Sequence, residues 1–244
     1  MSNTIILPII IFMAALFQST FGFGLALLSI PLLTIFISIT TATPLLALIG
    51  SLNALGILLL SRKNVAWNSI WRLIMGSILG APLGIWLLIN ASESLVKTIL
   101  GVFLILYGIY NLLPTNLPEL KNERWGYLFG FFAGVLGSAY DINGPPVLFY
   151  GTMRRWDPQK FRSSLAGFFL PSNIIISISH FSSGLITSEI LKYFMLSIPG
   201  IFLATWLGTI FNKRFKTEKF NRYLYILIIL LGAYLIITSW LQTV

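Results

Sequence analysis

Apolar runs of about 20 residues recur from one end of this chain to the other, and each is long enough to cross about 30 Å of hydrocarbon as a helix. Charged residues make up only 9% of the 244 residues, whereas an average soluble domain has roughly 25%. That is too little charge to cover a water-facing surface, and the mean hydropathy of +0.88 agrees. The sequence therefore predicts an all-α polytopic membrane protein surrounded by the lipid bilayer.

Composition also excludes several functions. The net charge of +9 could suggest a nucleic-acid partner, but the basic residues lie in short loops between apolar runs, which is the ordinary topology signal of membrane proteins. The chain has no cysteine, so disulfides, thiolate catalysis and cysteine metal sites are excluded. One histidine and one acid deep in an apolar segment provide no catalytic pair and no metal triad. We therefore expect no nucleic-acid partner, no enzyme activity, no metal and no cofactor.

Eight apolar segments can be distinguished, with no soluble domain or long linker between them. The longest connections are polar or basic, as in "PTNLPELKNER" and "NKRFKTEKFNR". The segments are roughly 5–38, 44–61, 65–90, 95–113, 125–153, 161–181, 188–211 and 220–241.

The two halves of the chain resemble each other. At an offset of 124 residues Gly76 matches Gly200, and at an offset of 120 Asn53 matches Asn173. The segments that head the two halves are both interrupted, by "FQSTFGFG" and by "GSAYDINGPP". Internal duplication with paired broken helices is a recurrent transporter design. We expect a first repeat over residues 1–113, a connecting loop over 114–124 and a second repeat over 125–244.

The distribution of basic residues predicts how the interrupted segments lie in the membrane. If all eight segments cross, the lysines and arginines divide only weakly between the two faces. If segments 5–38 and 125–153 fold back as re-entrant hairpins, every basic residue except Lys97 and Lys192 lies on one face, which the positive-inside rule prefers. Six crossings and two hairpins make an inverted repeat, with hairpins entering from opposite faces and both termini outside the cytoplasm.

Each break predicts a helix start inside the membrane. Non-helical backbone at membrane depth must be buried in protein or line a watery cavity. In "NGPP", Gly144 permits an unusual backbone angle and Pro145 suits the first turn of a new helix. A helix start carries about half a positive charge and free N–H groups, so two of them meeting at mid-membrane would hold a small anion. The candidate binding residues are Gln18, Ser19, Thr20, Gly22, Phe23, Gly24, Asn53, Ser138, Tyr140, Asn143, Gly144, Pro145 and Asn173.

Asp141 is the one acid that lies deep in an apolar segment. Burying an ionised carboxylate costs several kcal/mol unless it is paired, so this group should be protonated or hydrogen-bonded. Acids within the membrane are often proton relays, and we expect Asp141 to couple a proton to the anion. The alternative is that Asp141 only caps the second arm of its break. His180 is expected at the membrane interface.

The stretches "FQSTFGFGLALLSIPLL" and "GSAYDINGPPVLFYGTMRRWDPQKFRSSLAGFFLP" resemble the TauE/SafE family of sulfite exporters and sulfonate permeases, over essentially the whole chain. The resemblance implies an inner-membrane carrier of sulfite, sulfonates or other small organic anions. Carried over to this chain, it points to Gly22, Gly24, Asn143, Gly144, Pro145 and Pro146. Relatives often have longer glycine runs at both breaks, and small residues where Tyr140 and Asp141 stand.

The leading hypothesis is therefore a secondary transporter for a small anion, working by alternating access. No phosphate-binding loop of the G-x-x-x-x-G-K-[ST] type occurs, so the energy would come from ion or solute gradients. A passive anion channel could use the same hairpin tips. A carrier of a cationic or neutral solute could use Asp141 as a ligand. The oligomeric state stays open, a homodimer included.

Overall fold

The computed structural model describes residues 3–60, 65–113, 118–212 and 218–241. Regular secondary structure in these residues is entirely α-helical, which confirms the predicted fold class. The ten helices are α1 (Asn3–Phe21), α2 (Leu25–Leu33), α3 (Ile39–Leu60), α4 (Trp67–Asn90), α5 (Glu93–Leu112), α6 (Trp125–Tyr140), α7 (Gly144–Met153), α8 (Pro158–Ser182), α9 (Ser188–Asn212) and α10 (Glu218–Leu241).

Four helices in the described residues are long and apolar enough to cross a membrane: α3, α4, α8 over its residues 160–182, and α9. Large apolar side chains on their outer faces are exposed, among them Leu79 of α4 and Met195 of α9. Helices α5 and α10 carry shorter apolar stretches, Lys97–Tyr110 and Tyr225–Ser239. Crossing by these two helices stays a prediction.

The segment 125–153 is a hairpin. It breaks after α6, and α7 returns alongside it, so that the amide of Leu120 donates to the carbonyl of Met153 over 2.9 Å. Higher in the hairpin, the ring centroids of Phe129 and Tyr150 lie 5.7 Å apart. Both ends of the segment therefore lie at the same face, as predicted. The arms of this hairpin, α6 and α7, have 16 and 10 residues.

Helices α4 and α6 run side by side in the same direction along a seam of small residues. In the first half of α4, Gly76 meets the backbone of Tyr127. About two helical turns further along, Gly84 meets the backbone of Val135. Small residues let helix backbones approach closely in membranes. The second hairpin therefore enters from the face where α4 begins.

Helices α9 and α1 form the matching seam at the other side of the molecule. Gly200 lies against Phe12, and Gly208 lies against Ser19, so these helices also run in the same direction. Helix α8 starts next to the end of α7 and crosses once, hence α9 begins at the opposite face from the base of the second hairpin. Because α1 runs parallel to α9, the two broken segments enter from opposite faces.

If helices α1–α5 of the first half are matched in order with α6–α10 of the second half, each of the following helix contacts has a counterpart that is also present. The α4–α6 contact becomes α9–α1, the α3–α9 contact becomes α8–α4, and all four are present. The α3–α8 and α5–α10 contacts map onto themselves and are also present. This pattern supports a duplication over residues 1–113 and 125–244, which stays a prediction. Residues 114–117 of the predicted connecting loop lie outside the described residues.

Candidate functional site

The two breaks share one backbone design. Gly22 follows α1 with a φ of 90°, and Asp141 follows α6 with a φ of 55°, so both adopt the left-handed region. Each donates its amide to the carbonyl four residues earlier, over 2.6 Å at Gly22 and 2.7 Å at Asp141. The second arm begins three residues later in both cases, at Leu25 and at Gly144. Asp141 thus occupies the place that a glycine holds in the first break.

Both tips line one small cavity. Its volume is about 20 Å³, which is room for about one water molecule. The first turns of α2 and α7 lie at its wall, and Pro145 stands in the first turn of α7, as predicted. The cavity is lined by Gln18, Gly24, Leu25, Ala26, Leu27, Asp141, Ile142, Asn143, Gly144, Pro145, Phe169 and Asn173.

Amide side chains connect each tip to a crossing helix. Asn143 donates from Nδ2 to Oδ1 of Asn173 on α8, over 2.6 Å. On the other side Asn53 of α3 donates from Nδ2 to Oε1 of Gln18 over 2.8 Å, and accepts from Oγ of Ser19 over 2.9 Å. The two asparagines that match in sequence thus hold the two hairpins in matching ways. Of the two, Asn173 reaches the cavity and Asn53 does not.

The carboxyl group of Asp141 has no hydrogen-bond partner at Oδ1 among the described residues, and the side chain is only 5% exposed. The N-cap residue of α7, Asn143, makes no side-chain capping hydrogen bond, and the alternative role of Asp141 as a cap of the second arm stays a prediction. The hydroxyl groups of Ser138 and Tyr140 are likewise buried without partners in the described part of the chain. Protein groups therefore leave the carboxyl free to take a proton or a ligand.

Several predicted binding residues lie outside the cavity wall. Gly22 packs against Arg162 and Leu165 of α8 instead. The predicted residues that do not line the cavity are Ser19, Thr20, Gly22, Phe23, Asn53, Ser138 and Tyr140. Sequence reasoning missed Leu25, Ala26, Leu27, Ile142 and Phe169, which are apolar and carry no polar signal.

His180 is fully buried within the protein, whereas the sequence analysis expected it at the membrane interface. Its Nε2 lies 2.9 Å from the carbonyl oxygen of Ser138, at the end of α6. A carbonyl can only accept, so Nε2 donates. Arg162, five residues into α8, bonds the end of α1, whereas His180 stands near the other end of α8. The ends of α1 and α6 therefore contact opposite ends of α8, while the starts of α2 and α7 line one cavity. A position of this cavity at the midplane of the bilayer stays a prediction.

A polytopic helical protein whose two broken segments line one small cavity, with Gln18, Asp141, Asn143 and Asn173 in its wall, has the design of a membrane transporter. Comparison with known proteins gives the family. The model of the family described as "Sulfite exporter TauE/SafE" matches residues 7–235, so this chain belongs to that family.

A related protein, the probable sulfite/organosulfonate exporter TauE of Cupriavidus necator, is 23% identical over 234 residues, which covers 92% of this chain and 91% of that protein. No solved structure matches the chain. The resemblance seen in the sequence is thus confirmed, and so is the prediction of a transporter rather than an enzyme.

Proposed function

We propose that the protein is a secondary transporter that moves a small sulfur oxyanion, sulfite or an organosulfonate, by alternating access around the two hairpin tips. One observation carries the proposal: the starts of α2 and α7 line the same cavity, together with the amides of Gln18, Asn143 and Asn173. The family and the name of the relative support the choice of a sulfur oxyanion.

Sulfite and sulfonate groups present three oxygens that accept hydrogen bonds, and the cavity offers donors that suit them. A helix start carries about half a positive charge and unpaired N–H groups, although in the first turn of α7 Pro145 and Pro146 have no N–H and only Gly144 and Val147 can donate. Asn143 and Asn173 add amide donors from two different elements. Among the described residues that line the cavity none is a cation, so the binding of an anion rests on these dipoles and on charges behind the wall.

The small volume of the cavity supports a carrier over a pore. About 20 Å³ cannot hold a sulfonate group, so a hairpin must move before the ligand enters. A separate cleft of about 560 Å³ lies at the base of the second hairpin, lined in part by Arg154, Trp156 and Lys160. This cleft lies on the face that carries most of the basic residues, where an anion would arrive from the cytoplasm.

Proton coupling through Asp141 is the finer part of the proposal. An ionised carboxylate buried without a partner costs several kcal/mol, so burial favours the neutral form. A neutral Asp141 does not repel an anion in the cavity, whereas an ionised one does. A proton and an anion would therefore bind together.

The basic face is proposed to be cytoplasmic, in the inner membrane, with both termini on the other side. Because the chain has no cysteine, single introduced cysteines can be labelled from either face without background. A cysteine at Lys160 should react with a membrane-impermeant reagent in inverted vesicles and not in intact cells. The opposite result would reverse the topology.

The function is tested with purified protein in liposomes, by uptake of labelled sulfite driven by an imposed proton gradient. We expect saturable uptake that is inhibited by sulfonates and not by amines, and accelerated exchange when sulfite is present on both sides. Inhibition by amines would favour a cation carrier. Large single-channel currents without saturation would favour a pore.

The coupling is tested with Asp141→Asn. This variant should keep exchange of sulfite across the membrane, independent of pH, and should lose accumulation driven by the proton gradient. Unchanged proton-driven uptake would remove Asp141 from the mechanism and leave the carrier itself in place.

A further inference from the structure

At each hairpin tip two helix ends of opposite polarity come together, and only one of them attracts an anion. The second arm brings the positive end of a helix to the tip, but the first arm brings the negative end of another helix to the same place. The last carbonyls of a helix lack partners within it and carry about half a negative charge. An anion site needs these carbonyls to be neutralised.

At the first tip a cation and an amide do this. Arg162 of α8 donates from Nη2 to the carbonyl of Ser19 over 2.7 Å, and Asn212 of α9 donates from Nδ2 to the carbonyl of Thr20 over 2.6 Å. Arg162 also donates from Nη1 to Oδ1 of Asn212 over 2.8 Å. Arg162 thus joins the end of α1 to α8, Asn212 joins it to α9, and the guanidinium also binds Asn212.

At the second tip the donors to the last carbonyls of α6 carry no permanent charge. His180 of α8 binds the carbonyl of Ser138 over 2.9 Å, and Thr43 of α3 donates to the carbonyl of Ala139 over 3.4 Å. Of these four donors only Arg162, at the first tip, carries a fixed positive charge.

We propose that Arg162 is a specificity-determining residue: from behind the first tip its charge sets the preference of the transporter for doubly charged over singly charged oxyanions. The inference rests on the proposed function. Arg162 does not line the cavity; its Cγ lies 3.4 Å from where a Cβ of Gly22 would stand, and Gly24, two residues on, lines the cavity wall. Two residues span at most about 7 Å. One guanidinium nitrogen, Nε, is buried without a partner in the described residues.

The size of the effect follows from Coulomb's law. A unit charge about 10 Å away, at an effective dielectric constant of about 20, changes the affinity for a monoanion roughly tenfold. The interaction doubles for a dianion, so its affinity changes roughly a hundredfold. A charge effect therefore alters the ratio of the two affinities, and a loss of packing does not.

The test measures dissociation constants of the purified full chain for sulfite, a dianion at mildly alkaline pH, and for methanesulfonate, a monoanion. Arg162→Gln should weaken sulfite binding about a hundredfold and methanesulfonate binding about tenfold. Arg162→Lys keeps the charge and should keep the ratio within about twofold. Arg124→Gln removes an exposed charge from the same face and should leave both constants unchanged.

Asn212 provides the structural control and a second charge variant. Asn212→Leu removes the hydrogen bonds of Asn212 to Thr20 and Arg162 but keeps the cation, and it should weaken the binding of both ligands by the same factor. Asn212→Asp places a negative charge there and should lower the ratio as Arg162→Gln does, which keeps the test decisive if the glutamine variant does not fold.

Equal weakening of both ligands in Arg162→Gln, or an unchanged ratio in Asn212→Asp, would overturn the inference and leave the proposed function standing. A wild-type protein that binds neither anion would instead overturn the proposed function.

Discussion

Replacing Asp141 with glycine should make the protein more stable while it loses proton coupling. Asp141 holds a left-handed backbone, with a φ of 55°, at the place where the first hairpin has Gly22. Glycine adopts this conformation without strain, whereas other residues pay roughly 1 kcal/mol for it. The buried carboxyl adds a second cost, because Oδ1 has no partner among the described residues.

The magnitude can be worked from these terms. A buried polar group without a partner costs about 1–3 kcal/mol. Relief of the backbone strain, roughly 1 kcal/mol, is offset by the greater freedom of glycine in the unfolded chain, about 0.5–1 kcal/mol. The free energy of unfolding of Asp141→Gly should therefore rise by about 1–3 kcal/mol. At about 2–4 °C per kcal/mol for a chain of this size, Tm should rise by roughly 5 °C.

The assay pairs thermal unfolding in detergent with uptake in liposomes for three variants. Asp141→Ala removes the carboxyl but keeps a side chain in the left-handed region, so it should gain less stability than Asp141→Gly. Asp141→Asn tolerates the backbone but keeps a polar group. All three should lose proton-driven accumulation of sulfite. A Gly variant less stable than the wild type would show that the carboxyl has a stabilising partner and would refute the reasoning.

Three further predictions concern the same hairpins. Gly24→Ala should destabilise the protein by about 2 kcal/mol more than Gly184→Ala, measured by Tm, because Gly24 has a φ of 103° and a Cβ there would lie 2.7 Å from the ring of Phe17, whereas Gly184 has a φ of 71° and open space. Glu123→Gln breaks two ion pairs at the base of the second hairpin, of 2.6 and 3.2 Å, and should lower Tm by roughly 2–4 °C, since the carboxylate is one-third exposed and screened. Asn173→Leu should weaken sulfite binding about tenfold in titrations, because it removes a donor worth roughly 1.4 kcal/mol, and unchanged affinity would exclude it from the site.

Local sequence signals were enough to predict the helices and the breaks. Apolar length identified the membrane segments, and the glycines and prolines of "TFGFG" and "NGPP" identified both interruptions, because those residues punctuate helices through their own backbone geometry. The placement of basic residues predicted hairpins that enter from opposite faces, which the parallel α4–α6 and α9–α1 seams bear out. Asn173, Asn143 and Asp141 were predicted for the site and do line the cavity.

The remainder depends on contacts between residues far apart in the chain. His180 was assigned to the membrane interface because it stands near the end of an apolar segment, and only the packing of α8 against the second hairpin buries it. Asp141 was placed within its break, but its left-handed backbone follows from how α6 ends. Apolar residues such as Phe169 line the cavity with no sequence pattern that separates them from lipid-facing neighbours.

The two tips differ in charge although their backbones match, and the difference determines how a proton and an anion would be linked. With Asp141 protonated, the charge around the cavity is that of Arg162, and an anion is attracted. With Asp141 ionised, the two charges cancel, and the affinity for a monoanion should fall roughly tenfold by the same Coulomb scale. Linkage is reciprocal, so a bound anion must favour the protonated carboxyl by the same factor. Under the proposed coupling, with a carboxyl in the cavity wall and a guanidinium behind the first tip, proton and anion would cross the membrane in the same direction. An exchange of one for the other would require the opposite arrangement, with a site that binds the anion only after the proton has left.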